Sequence, residues 1–145
     1  QANLVHLCMP GVIDLDRPMD SSLEMSGYEG GGARARLRPF DINARNLRAS
    51  VVFLSSTRLS GQTGSAFISQ PGFVSDFIHA GAESVIARVW VSRGGLSESF
   101  VRDFYEELAD TNDVAVALAR SKRKQIRNKD GDSLYNWAGY QLFID

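Results

Sequence analysis

A run of four large apolar residues near the middle of the chain constrains the fold most strongly. Within ASVVFLSST, residues 49–57, the residues Val51, Val52, Phe53 and Leu54 follow one another without a polar interruption. An unbroken run of β-favouring residues is typical of a central strand that is covered on both faces. The run therefore predicts a sheet that lies between layers of helices.

Further strands and helices alternate along the chain. Apolar runs predict three more strands, at residues 4–9, 84–91 and 137–144. Apolar residues at helical spacing predict a helix over residues 71–80 that stops at Gly81, a second helix capped by Ser97 and a third capped by Asp113. Strands that alternate with helices are typical of a mainly parallel α/β sheet.

Two long segments have the composition of loops. Residues 10–33 are rich in Asp, Ser, Pro and Gly, and residues 58–70 are polar and contain glycine. Between them, alternation predicts a short strand at residues 34–38, and Asp41 is expected to cap a brief helical turn.

Size and composition limit what the chain can be. With 145 residues, of which 43% are hydrophobic, it can bury a substantial core, so we expect a single domain over residues 1–145. The net charge of -1 leaves no overall field that would recruit nucleic acid or an anionic membrane. The single cysteine cannot form an internal disulfide, and no apolar run approaches the roughly 20 residues that span a bilayer. These features predict a cytoplasmic protein.

Two short segments follow apolar strands at the place where a parallel sheet carries its functional residues. Residues 9–11 follow the first predicted strand, and residues 55–57 follow the central one. Open parallel sheets place functional side chains just beyond the carboxyl ends of their strands. If the two strands are neighbours, their ends lie close together, as a nucleophile and its base require.

Four stretches, in order along the chain, resemble the C-terminal, protease-bearing part of a CHAT domain, a caspase-like cysteine peptidase family often found behind helical TPR repeats. The stretches are LVHLCMPG at residues 4–11, ASVVFLSSTRLSG at 49–61, GFVSDFIHAGAESVIARVW at 72–90 and NWAGYQLFID at 136–145. The third, with its helix, Ala-Gly-Ala turn and strand ending in Trp, is the most specific. The resemblance implies a caspase-like α/β fold, a mainly parallel sheet flanked by helices, whose first strands precede this chain.

The resemblance also implies two catalytic positions, and neither holds the family's residue. The general-base His falls on Pro10, and the nucleophilic Cys falls on Thr57. The acidic residue that often follows the Trp strand falls on Arg93, and a glycine-acid-glycine motif is missing around residues 67–69. A threonine hydroxyl does not ionise near neutral pH and needs a base within hydrogen-bond reach, which proline cannot supply.

No other residue is predicted to take over this chemistry. His6 lies about 13 Å before the strand end, at a rise of about 3.3 Å per residue, so we expect packing or a local hydrogen bond to satisfy it. His79 falls late on a helix, where we expect a surface position near the negative end of the helix dipole. Cys8 lies within the first predicted strand, and we expect a buried, inert thiol there.

The remaining polar clusters predict no metal or cofactor. The acidic residues of the first loop have no partners at ligand spacing: Asp14, Asp16, Asp20 and Glu24. Asp130 and Asp132 lie in a segment without the EF-hand spacing or its final Glu. The basic run at residues 120–129 falls at a helix C-terminus, where the dipole favours cations, so we expect a solvated face and no nucleic acid there.

Together these features predict a caspase-like pseudopeptidase, a catalytically inactive scaffold that serves as a regulatory or protein-interaction module. The alternative is an active peptidase whose dyad is completed by a displaced or partner-supplied residue. A third hypothesis, a nucleic-acid-binding α/β domain, predicts salt-sensitive binding that is lost when Lys122, Arg123 and Lys124 are neutralised. Because the first strands of the sheet are missing, we expect residues 4–9 to pair with an upstream segment or another chain.

Overall fold

A mainly parallel sheet flanked by helices forms the centre of the fold in the computed structural model. The structure describes residues 4–12, 14, 16–25, 35–55, 59–60, 71–90, 97–128 and 133–144. Its strands are β1 (Leu4–Leu7), β2 (Gly11–Val12), β3 (Ser22–Glu24), β4 (Arg36–Leu37), β5 (Val51–Leu54), β6 (Leu59–Ser60), β7 (Ser84–Arg88) and β8 (Tyr140–Ile144). Its α-helices are α1 (Pro39–Asn43), α2 (Pro71–His79), α3 (Glu98–Thr111), α4 (Val114–Arg127) and α5 (Leu134–Trp137). The predicted α/β class is therefore confirmed.

The central sheet has the strand order β1-β5-β7-β8. The first two pairings are parallel, with Leu7 opposite Leu54 and Phe53 opposite Ile86, whereas β8 runs antiparallel to β7. The strand predicted from the unbroken apolar run, β5, lies inside the sheet, and its four residues are buried. Because successive side chains of β5 point to opposite faces of the sheet, this strand contributes to two separate cores.

The two faces of the sheet are covered by different helices. On one face, Val52 and Leu54 pack with apolar residues of α2, including Phe73 and Phe77. On the other face, Phe53 meets the edges of Phe104 from α3 and Tyr140 from β8, each with ring centroids 5.3 Å away. The second core therefore joins the sheet to α3, α4 and α5, and its aromatic residues lie next to the ends of β1 and β5.

The helix boundaries follow the predicted caps. The Ser97 hydroxyl accepts a hydrogen bond from the backbone N–H of Phe100 at 3.2 Å, and the Asp113 carboxylate accepts one from Val116 at 2.9 Å. Each bond satisfies an N–H that has no partner within its helix. Gly81 has a φ of +106° just after α2, a conformation that glycine adopts without a steric penalty.

For the residues that the structure describes, a second, smaller sheet corrects the prediction that residues 10–33 and 58–70 are loops. Its strands lie in the order β4-β3-β2-β6, and the β2–β6 pairing is parallel. Three of these strands have two residues each and the fourth has three, which is too short for a two-residue period to be visible in the sequence. The predicted strand at residues 34–38 is confirmed in part as β4.

Two further element boundaries differ from the sequence prediction. Trp137 ends α5, so the closing strand begins only at Tyr140; the buried indole explains why the segment resembles a strand in composition. Helix α1 begins at Pro39, and Asp41 lies inside it rather than before it. From there the Asp41 carboxylate accepts a hydrogen bond from the backbone N–H of Arg38 at 3.0 Å. Within the described ranges, no helix is both long and apolar enough to cross a bilayer.

Candidate functional site

The strands that flank the two positions singled out by the sequence are paired with one another. Before these positions, β1 and β5 pair in parallel up to Leu7 and Leu54. After them, β2 and β6 pair in parallel, with Gly11 opposite Leu59. The condition that the sequence analysis left open, that the first and central strands are neighbours, is therefore met.

Pro10 lies in the turn between β1 and β2, and its side chain is exposed. Its carbonyl oxygen accepts a hydrogen bond from the backbone N–H of Glu24 at 2.7 Å, which ties the turn to the second sheet. The pyrrolidine ring has no atom that could accept a proton. Thr57, Arg93 and residues 67–69 lie outside the described residues.

His6 lies on β1 and is engaged at both ring nitrogens. Its Nε2 lies 2.5 Å from Oγ of Ser55, and its Nδ1 lies 2.8 Å from the hydroxyl of Tyr105 on α3. The imidazole also stacks on Phe53, with centroids 4.6 Å apart and planes within 8° of parallel. The prediction that packing or a hydrogen bond satisfies this histidine is confirmed.

Either neutral tautomer of His6 completes this chain of hydrogen bonds. With the proton on Nδ1, the imidazole donates to the Tyr105 oxygen and accepts from Ser55; with the proton on Nε2, both bonds reverse. Burial lowers the pKa of His6 below its usual 6.5 and raises the pKa of Tyr105 above 10.0. The arrangement therefore favours a neutral histidine next to a neutral tyrosine.

A serine hydroxyl hydrogen-bonded to an imidazole, which is bonded to a third group, is the arrangement that activates a nucleophile in many hydrolases. Here, however, Ser55 has an exposed fraction of 0%. Its backbone N–H also donates to the carbonyl oxygen of Leu7 at 3.0 Å, so the residue continues the ladder between the two strands. The group that would have to attack a substrate is therefore enclosed by the protein.

Cys8 is exposed, which corrects the prediction of a buried thiol. Strand β1 ends at Leu7, so the cysteine lies beyond the strand and outside the core.

Burial raises the pKa of the Tyr140 hydroxyl; the Arg88 guanidinium opposes this effect, and Cys8 lies close enough to add to it. Arg88 donates to Tyr140 Oη at 2.8 Å and lies over the same ring, 4.7 Å from its centroid.

The other sequence candidates lie away from this place. His79 is the last residue of α2, is exposed, and has Nδ1 3.2 Å from the Ser75 hydroxyl, as expected for a surface position. Asp14 and Asp20 form exposed ion pairs with Arg17 at 3.7 and 3.3 Å. Asp130 and Asp132 lie outside the described residues, and among those that are described no three His, Cys, Asp or Glu side chains converge as metal ligands would.

Sequence reasoning did not bring Ser55 and Tyr105 together with His6. The strand register was the missing information. His6 lies opposite Phe53, so Ser55, two positions after Phe53, lies on the same face of the sheet as His6. Tyr105 belongs to the apolar stripe of α3, and its hydroxyl is a polar tip on a core-facing ring, which needs a partner when buried. Had the register been known, these two features together would have indicated the contact.

Comparison with known families identifies the CHAT domain. The model of the CHAT domain matches residues 1–145, the whole of the chain. No curated protein matches the chain significantly.

Proposed function

The chain belongs to the CHAT domain family, and from this membership we propose that it is a catalytically inactive member, a pseudopeptidase that acts as a regulatory or protein-interaction module. The observation that carries the proposal is Pro10, exposed in the turn after β1 where the resemblance requires the general base. CHAT membership by itself indicates a caspase-like, peptidase-related module. The loss of activity and the regulatory role are the proposal.

The chemistry of the two replaced positions supports inactivity. A cysteine works in such a dyad because an imidazole within reach raises the fraction of thiolate near neutral pH. At Thr57 the hydroxyl would need a base positioned to remove its proton in the transition state. Pro10 offers no acceptor on its side chain, so the general-base step has no agent at the position where the family provides one.

The histidine on β1 does not replace that base. Both nitrogens of His6 are within hydrogen-bond distance of a protein hydroxyl, and the ring is held flat against Phe53. To serve a substrate at the strand ends, the imidazole would have to leave Ser55 and Tyr105 and give up its stacking. This cost argues against a displaced base.

An interaction role is supported by the edge of the central sheet. In the described part of the chain, β1 pairs only with β5, and its other side offers backbone N–H and C=O groups. Edges of this kind pair readily with an added strand. We propose that an upstream segment or another chain completes the sheet along Leu4–Leu7.

Inactivity is tested with panels of basic and acidic fluorogenic peptides on the intact protein. We expect no turnover above the uncatalysed rate. Turnover that disappears on Thr57→Ala but persists in Ser75→Ala, a control at an exposed hydroxyl on α2, would overturn the proposal.

One observation favours the alternative of an active peptidase, and it is the exposure of Cys8. An exposed thiol just beyond β1 is accessible to a substrate, although no hydrogen bond of the described residues links it to an imidazole. Labelling of Cys8 by an electrophilic peptide much faster than by iodoacetamide, together with loss of turnover in Cys8→Ser, would establish this alternative. Equal, slow labelling by both reagents favours the pseudopeptidase.

A further inference from the structure

Helix α4 carries a stripe of cations that the function proposed above does not use. Four cations lie on one face at spacings of three, four and seven residues: Arg120, Arg123, Lys124 and Arg127. Together with Glu107 of α3 they line an open groove of about 310 Å³. At about 1.5 Å per residue the stripe extends over about 10 Å of the helix. We refer to these five residues as the α4 groove.

The inner cations of the groove are held by α3. Lys124 Nζ lies 2.9 Å from one oxygen of Glu107, and Arg120 Nη1 lies 3.4 Å from the other. Glu107 has an exposed fraction of only 8%, so its carboxylate forms the floor of the groove. Lys124 also approaches Glu106 at 3.6 Å. These contacts neutralise the floor and fix the direction of the two inner side chains.

Among the described residues, the outer cations have no such partner. Arg123 and Arg127 are both exposed, and within the ranges that the structure describes no acidic oxygen lies within 4.0 Å of either guanidinium. They are four residues apart, so they project from neighbouring turns of α4. Two guanidinium groups one helical turn apart, above a neutralised floor, form a receptor for anions.

We propose that the α4 groove binds an acidic protein segment, with carboxylates of the partner on Arg123 and Arg127. The planar fork of arginine matches a carboxylate with two parallel hydrogen bonds. Asp or Glu residues placed four apart on a partner helix have the same spacing as the two arginines. Charge complementarity thus determines both the chemistry of the ligand and its spacing.

The charges around the groove favour an acidic peptide over nucleic acid. The chain as a whole carries a net charge of -1, so it has no extended positive field that would attract a long polyanion. A nucleic acid strand places one charge about every 3.4 Å and needs a longer row of cations. A few carboxylates on a short segment fit two outer arginines better.

The proposal is independent of whether the domain cleaves peptides, since the groove lies on α3 and α4 and includes none of the residues at the strand ends. It can therefore fail while the pseudopeptidase proposal stands, and the reverse also holds.

The test is fluorescence anisotropy of a labelled helical peptide that carries four Glu residues at four-residue spacing, titrated with the intact protein. A matched peptide with Gln at the same positions is the probe control. The protein variants are Arg123→Gln/Arg127→Gln and a charge-matched control, Arg45→Gln/Arg48→Gln, whose exposed side chains follow α1. Thermal unfolding of each variant shows that it is folded.

We expect the Glu peptide to bind, the Gln peptide not to bind, and the groove variant to bind about tenfold more weakly, as the loss of two screened charge-assisted contacts requires. Binding is expected to weaken between roughly 50 and roughly 300 mM salt. The proposal is overturned if the Glu peptide does not bind, or if the control variant loses as much affinity. It is equally overturned if a single-stranded oligonucleotide binds more tightly than the peptide and is lost with the groove variant.

Discussion

His6 Nε2 lies 2.5 Å from Ser55 Oγ, across the pairing of the first strand with the central one. The contact joins the ends of these strands on the face covered by α3, and Tyr105 extends it to that helix. In another setting the same groups would form a nucleophile and its base, but here the Ser55 hydroxyl is enclosed by the protein. We therefore regard the contact as a hydrogen bond that stabilises the paired ends of the two strands, and the first two predictions follow from it.

Removal of either hydroxyl partner of His6 is expected to destabilise the fold. Ser55→Ala leaves Nε2 of the half-buried His6 without its partner, at a cost of about 1–3 kcal/mol, and Tyr105→Phe removes one hydrogen bond at a cost of about 1 kcal/mol. Urea unfolding measures both, with Ser75→Ala on the surface of α2 as the control. Because the two hydroxyls share one imidazole, the double variant should show non-additive losses. Losses no larger than that of the control would show that the contact contributes nothing.

The protonation of His6 should make stability depend on pH. Burial lowers the pKa of the folded histidine below 6.5, so the unfolded chain takes up a proton first as the pH falls. The stability associated with His6 is complete above pH 6.5 and is lost as the pH falls from there to the lowered folded pKa. Thermal unfolding across this window should show a smaller change in His6→Gln than in the wild type. Equal pH profiles would contradict a neutral, half-buried histidine.

The ion pair at the floor of the α4 groove gives a second pH dependence at lower pH. The hydrogen bond from Lys124 lowers the pKa of Glu107 below 4.5, with Arg120 adding to the effect. The unfolded chain therefore binds this proton at a higher pH than the folded protein does. The contribution of Glu107 is complete above pH 4.5 and is lost as the pH falls through the lowered folded pKa. In Glu107→Gln this acid-dependent part should vanish, as measured by urea unfolding between pH 7 and roughly pH 3; an unchanged acid profile would refute the pairing.

Two glycines, one in α2 and one just after it, are expected to respond in opposite ways to substitution by alanine. At Gly81, with φ +106°, a Cβ atom would lie 2.5 Å from the carbonyl oxygen of Leu47, so Gly81→Ala should destabilise by more than about 1 kcal/mol. At Gly72, within the helix, a Cβ atom meets nothing within 4 Å, so Gly72→Ala should stabilise by about 0.5–1 kcal/mol. Thermal unfolding of both variants checks the pair. A tolerated alanine at Gly81 would contradict the left-handed turn.

The parts of the fold that could be predicted are those with a strong local signal. Strand β5 is an unbroken apolar run, and α3 and α4 combine an apolar stripe with the caps Ser97 and Asp113, so neighbouring residues alone determine them. The short strands β2 and β6 exist because they pair with each other, and pairing between distant segments leaves no pattern within two residues.

The candidate site was predictable in position but not in its contacts. That functional positions lie beyond the ends of the first and central strands followed from the rule for parallel sheets, whereas the pairing of these two strands is known only from the structure. The engagement of His6 by Ser55 and Tyr105 depends on strand register and on how α3 is docked, neither of which one sequence specifies. The exposure of Cys8 depends on β1 ending one residue before it, and strand ends are difficult to locate from composition.

The most direct test of the central claim is to measure peptide turnover by the wild type beside a variant with the dyad restored, Pro10→His/Thr57→Cys. If the scaffold is intact and only the two reacting groups are missing, the wild type should be inactive, and the restored variant should cleave at least one peptide and be alkylated at position 57 by an electrophilic peptide. Turnover by the wild type that is lost in Thr57→Ala or in Cys8→Ser would contradict the claim.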